Sequence, residues 1–207
     1  MALLACVVVG SGIMGTNLSP DLGVALLINT ISTIFALAIL ILILGPISGA
    51  HFNPAVTLVS LANKTMKPSD AFGYVAVQVA GAITGAIVAN AMFDLAIIQI
   101  SQNDRITTGK FIGEVIATAG LIIVIGVLLA REQIALISVV VAGWIGSAYF
   151  FTSSTSFANP AITIGRAFSD TFAGIAPASV LPFIAAQLIG ATLGMFAAFD
   201  NPCSNSL

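Results

Sequence analysis

The chain has 207 residues, of which 58% are hydrophobic and 7% charged, with a formal net charge of −2. Soluble domains carry about 25% charged residues, so this composition excludes one, and the weak negative charge leaves no electrostatic footprint for nucleic acid. The two cysteines, Cys6 in an apolar stretch and Cys203 in the polar tail, do not make a disulfide framework.

The first apolar segment, ALLACVVVGSGIMGTNL, holds 17 uncharged residues. That is short for about 30 Å of hydrocarbon. It lacks the basic start and small-residue cleavage site of a secretory signal, and is read as the first spanning helix. Further spans are expected at 24–44, 71–93, 111–130, 133–152 and 178–199, the last within the uncharged stretch 171–199. Each is near the roughly 20 residues a spanning helix needs. Backbone polar groups cannot stay bare in lipid, so these segments must be helical.

The connections differ in character. Residues 18–23 are short and carry Pro20 and Asp21, and Arg131-Glu132 marks a tight turn. Residues 94–110 are polar, with Asp94, Asp104, Arg105 and Lys110, and divide the chain into halves 1–93 and 111–199. Lys64, Lys67 and Arg131 on one side balance Arg105, Lys110 and Arg166 on the other, so the positive-inside rule gives no orientation. Connections 45–70 and 153–177 are too apolar for solvated loops.

Those two apolar connections hold matching motifs. Asn53-Pro54-Ala55 lies in SGAHFNPAVTL and Asn159-Pro160-Ala161 in STSFANPAITI, 106 residues apart. A second pattern, QxxGAxxG, starts at Gln78 and again at Gln187, 109 residues apart. Two patterns at nearly one offset indicate duplication, and three spans per half make the repeats inverted. The pattern's glycines suit close helix approach.

Asparagine is a strong N-cap, proline suits the first helical position and alanine propagates a helix. Helices are therefore expected from Asn53 to about Leu61 and from Asn159 to about Phe168, each roughly 13–15 Å long. Entering from opposite faces, they would meet near the midplane. Each start carries roughly half a positive charge, which disfavours cations between them. The two asparagine amides would donate to a solute oxygen. Carbonyls of Gly49, Ala50 and His51, and of Thr155, Ser156, Phe157 and Ala158, would accept. A path of fixed donors and acceptors passes small neutral polar molecules and resists charge.

These motifs resemble the aquaporin, or major intrinsic protein, family over nearly the whole chain. The resemblance implies an all-α membrane protein of six transmembrane helices plus two re-entrant half-helices. It also implies a single channel domain over 1–207, one pore per subunit and a homotetramer in the lipid bilayer. His51 resembles the family's loop histidine, with a structural role; no nucleophile or acid accompanies it for catalysis. No enzyme activity, cofactor or metal is implied.

Two departures bear on function. Family members usually open with a glutamate in the first span, matched by one in the fourth. Glu114 fits the fourth as a brace for the re-entrant loop, while alignment puts its partner about three residues before Met1. Either the chain is truncated or mis-started, or half the usual brace is absent. The second departure is Ile162, where most aquaporins have an arginine. Arg166 lies one turn later, about 6 Å towards the mouth. It is expected in the vestibule or in a structural role, within reach of Asp170 at i+4, with a relocated filter as the alternative.

Family spacing carries over the other filter positions. They are Thr33, Ser156 and Ser147, with Gly143 or Gly146 as alternatives on the fifth span. A ring of Thr33, Ser147, Ser156 and Ile162 is small, neutral and partly apolar, so a pore wider than a strict water channel is expected. The stretch FANPAITIGRAFSDTFAGIAP is similar to bacterial members associated with arsenic handling. That similarity implies water, glycerol or arsenite as solutes and a bacterial inner membrane. Competing readings are an ion-coupled secondary transporter, for which only Glu114 offers an ionisable group, and a structural homologue with an occluded pore.

Overall fold

The computed structural model describes residues 1–199; Cys203 lies outside them. The described residues form eight α-helices in chain order. The first half holds α1 (Ala2–Leu18), α2 (Leu22–Ser48), the short α3 (Pro54–Ala62) and α4 (Pro68–Met92). The second holds α5 (Thr108–Ala130), α6 (Ile137–Phe151), the short α7 (Pro160–Arg166) and α8 (Pro177–Phe199). Five helical segments are long and apolar enough to cross a bilayer, and α1 is a shorter apolar helix.

Local chemistry sets the ends. Asp21 caps α2 by accepting from the Gly23 and Val24 amides, and Thr107 caps α5 by accepting from Lys110. Capping of this kind satisfies donors that helix geometry leaves orphaned. The second span outlasts its expected end at 44: it runs through Pro46 to Ser48 and stops at Gly49, whose φ of 69° gives a left-handed cap. The fifth span opens with a 3-10 turn, Ile134–Leu136, before α6 begins. Helix α7 ends at Arg166, short of the expected Phe168. Ala167 and Phe168 instead donate to Ile164 and Gly165, tightening the last turn.

Packing repeats between the halves. Helix α1 lies against α4, and α5 against α8. The glycines of the QxxGAxxG pattern make both contacts. A Cβ at Gly81 would stand 2.9 Å from the Met1 Cβ, and one at Gly194 would stand 2.9 Å from the Ile122 Cβ. Helices α2 and α6 pack together, and α3 meets α7. Large apolar side chains such as Phe72, Val77 and Leu181 cover the outside, while Asn29, Gln78, Glu114 and Gln187 are buried. This inside-out distribution suits a hydrocarbon solvent, in which polar groups must find partners within the protein.

Candidate functional site

The two asparagines begin the short helices. Asn53 accepts from the Ala55 amide at 2.9 Å; Asn159 accepts from Ala161 at 3.0 Å and Ile162 at 3.2 Å. Pro54 and Pro160 occupy the first turns, and Ala55 and Ala161 are fully buried behind them. Each amide nitrogen then crosses to the other half. Asn53 Nδ2 donates to the Ala158 carbonyl and Asn159 Nδ2 to the Phe52 carbonyl, both at 2.7 Å. An amide nitrogen carries two hydrogens, so each asparagine keeps one N–H beyond this cross-brace. Both asparagines line one cavity.

The approach segments are built alike. Positive φ angles occur at Gly49, Ala50 and Phe52, and again at Thr155, Ser156 and Ala158. The two sets repeat at the motif offset of 106 residues. Residues with a Cβ adopt this region rarely and at a cost of about 1–3 kcal/mol each, so surrounding contacts must hold them. In the second half Glu114, fully buried, accepts from the Phe157 and Ala158 amides at 2.8 Å and from Gln187 Nε2 at 2.6 Å. In the first half His51 Nδ1 lies 3.1 Å from Thr57 Oγ1, with its ring against Tyr74.

The glutamines add a tie that sequence spacing did not reveal. Gln78 donates to Thr57 on α3, and Gln187 to Thr163 on α7. The QxxGAxxG pattern therefore does two jobs. Its glycines seat a long helix, and its glutamine clamps a short one.

The cavity has a volume of about 820 Å³. One end is framed by the exposed residues Leu42, Pro46, Ile134 and Ala135. Midway it passes Gly49, Ala50, His51, Phe157 and Ala158; Thr155 is not in the lining. The other end is buried, formed by Thr33, Ser156, Ile162, Arg166 and Tyr149. No lining residue comes from the 94–107 connection or from 167–176.

Two expectations need correction here. Ser147 is exposed on α6 and does not line the cavity. Gly143 is exposed too, and Gly146 packs on Ile34. The helix face two residues on carries Tyr149 inward instead, and its hydroxyl lies 3.4 Å from Thr33 Oγ1. The cavity beside Thr33, Ser156 and Ile162 thus includes a large aromatic, where spacing implied only small side chains. A shift of two residues turns a helix face by about 200°, which is why counting from a family pattern missed it.

Arg166 is the second correction. It does not pair with Asp170, whose carboxylate accepts from the Gln102 amide. Arg166 is buried, its Nε donates to the Ala173 carbonyl, and its guanidinium carbon sits 3.4 Å from the Phe157 ring centroid. Arg105 approaches the same ring at 5.1 Å and donates to the Gly174 and Phe172 carbonyls. Cation–π contact is stronger when desolvated. The site can therefore offer amide and hydroxyl donors, carbonyl acceptors and one fixed positive charge in a single cavity. Among the described residues no group of three His, Cys, Asp or Glu could hold a metal ion.

Comparison with known proteins gives consistent matches. Residues 1–157 match the family model described as Major intrinsic protein. The chain is 44% identical over 195 residues to Aquaglyceroporin AqpS of Rhizobium meliloti (strain 1021), covering 93% of this chain and 82% of that one. It is 43% identical over 88 residues to Aquaporin-5 of Mus musculus, covering 39% of this chain and 32% of that protein. The fold is similar to the X-ray structure of the aquaglyceroporin from Plasmodium falciparum, with a TM-score of 0.71 at 20% identity, over 100% of this chain and 96% of that one.

Proposed function

Since this chain belongs to the major intrinsic protein family and is a multi-pass membrane channel for small neutral solutes, we propose that its solute path is the cavity past Asn53 and Asn159. The cross-braced amides carry this reading. Each asparagine is locked by its partner loop and retains one N–H in the cavity, so a passing oxygen meets two fixed donors without reorganisation cost. Carbonyls of Gly49, Ala50, His51, Phe157 and Ala158 serve as acceptors. Glu114 braces the second approach segment. Thr33, Ser156 and Ile162 form the selective end, with Tyr149 replacing Ser147, and Arg166 stands beside them as fixed charge rather than in an outer vestibule.

The solutes proposed are water, glycerol and arsenite, As(OH)3. All are neutral and compact, and Ile162 leaves their route free of a guanidinium at that position. Residues 1–93 and 111–199 act as the two repeats of one channel domain. The assembly is a homotetramer in a bacterial plasma membrane. Ion-coupled transport is disfavoured, because the Glu114 carboxylate already accepts three hydrogen bonds. An occluded homologue is the second reading, favoured by the burial of Thr33, Tyr149 and Arg166 at one end of the cavity. A proteoliposome panel separates the two. Gradient-driven flux of glycerol or arsenite above protein-free vesicles is expected, while background flux for all three solutes supports occlusion.

A further inference from the structure

The 94–107 connection lines no part of the cavity, yet Arg105 within it reaches the peptides that hold Arg166. Residues 101–105 run along 167–179 as a hydrogen-bonded seam. The Ser101 amide donates to the Ala167 carbonyl, the Ala176 amide to the Asn103 carbonyl and the Arg105 amide to the Ser179 hydroxyl. The seam brings the Arg105 guanidinium to three successive peptides. Its Nε donates to the Gly174 carbonyl at 2.8 Å and its Nη2 to the Phe172 carbonyl at 3.0 Å. The carbonyl between them, that of the fully buried Ala173, accepts from Arg166 Nε. Helix α1 backs this point: a Cβ at Gly12 would stand 3.2 Å from the Ala173 Cβ.

Arg166 is held by little else. A guanidinium has five N–H donors. Among the described residues its hydrogen bond is the one from Nε, and its other hold is the Phe157 ring. A buried charge short of partners is drawn to any acceptor in reach, and the cavity lining offers carbonyls and hydroxyls. Both holds depend on Arg105. It fixes the carbonyls on either side of Ala173, and its own guanidinium carbon lies 5.1 Å from the same Phe157 ring centroid. Lysine cannot do this, because a point charge does not span two acceptors as a planar fork does.

We propose that Arg105 is a positioning residue for the channel: by holding the Phe172 and Gly174 carbonyls it keeps the Arg166 guanidinium folded against Phe157, where it does not obstruct larger solutes. The proposal rests on the cavity being the solute path. It assigns a role to a residue outside the cavity and to a connection that the motifs do not mark.

The test measures glycerol and water flux in proteoliposomes, with protein-free vesicles subtracted. Arg105→Lys keeps the charge and loses the fork. It is expected to lower the glycerol to water permeability ratio about tenfold, the scale on which one side chain in a pocket discriminates. Adding Arg166→Met is expected to return the ratio to that of Arg166→Met alone, a rescue that loss of a merely structural seam would not show. Phe157→Leu removes the other hold and is expected to act in the same direction, so it carries the test if Arg105→Lys does not fold. The chain has three arginines, so their Nε–H signals can be followed by NMR, and solvent exchange at Arg166 should quicken at least tenfold in Arg105→Lys. A permeability ratio or exchange rate within twofold of wild type in the folded variant overturns the proposal. So does a lowered ratio that Arg166→Met fails to rescue. Absence of flux in the wild type counts against the cavity as the path, and the exchange rates then still report whether Arg105 holds Arg166.

Discussion

Ile162 and Arg166 stand one turn apart on α7 and put opposite chemistry into one cavity. The aliphatic side chain adds no charge to the cavity. The guanidinium, held by Phe157 and the Ala173 carbonyl, sets a fixed positive charge beside it. Ile162→Arg adds a second, unpaired guanidinium next to the first. It is expected to cut glycerol permeability by about tenfold or more, since small changes in pocket contacts carry that much discrimination, while water flux falls less. Equal loss of both in a solute panel would remove Ile162 from the selective end. Glu114 acts at the same scale. Glu114→Ala leaves the Phe157 and Ala158 amides unpaired in a buried site. Each orphan costs about 1–3 kcal/mol, so the melting temperature in detergent should drop clearly and solute flux should fall with it.

Between elements, the contact of long helices depends on residues that have almost no side chain. At Gly194 an added Cβ would lie 2.9 Å from the Ile122 Cβ and 3.1 Å from the Ala119 Cα. Neither neighbour is the free end of a flexible chain, so α8 must move away from α5. Overpacking of this kind costs about 1–3 kcal/mol. Gly194→Val is expected to lower the melting temperature, and also to reduce flux, because displacing α8 carries Gln187 away from Thr163 on α7. A variant with a lowered melting temperature and unchanged flux would separate helix seating from pore geometry. The short helices need this clamp. Helix α7 has 7 residues, too few to hold itself together, since isolated helices below about 12–15 residues are marginal in water.

The whole molecule is polar within and apolar without. Buried asparagine, glutamine and glutamate surround the short helices, while large apolar side chains cover the outer faces of α2, α4, α6 and α8. Lipid is as apolar as these side chains, so association of copies must come from packing rather than from water exclusion. The proposed homotetramer is checked by native mass spectrometry or light scattering in mild detergent. A mass of four copies is expected, and a monomer across detergents would remove the tetramer from the description.

The sequence by itself determined the long apolar helices, the recurrence of two patterns at nearly one offset and the placement of Asn53 and Asn159 at helix starts. These follow from hydropathy, capping and spacing, which are local along the chain. It also held the QxxGAxxG glycines, because close approach requires small residues wherever the helices meet. Tertiary structure alone decided which face of α6 turns inward, and so exchanged Ser147 for Tyr149. It alone decided that Arg166 lies on Phe157 rather than beside Asp170, and that each asparagine braces the opposite loop. Rotation of a helix about its axis and contacts between residues about a hundred positions apart depend on the packing of several elements at once. No local pattern encodes that packing.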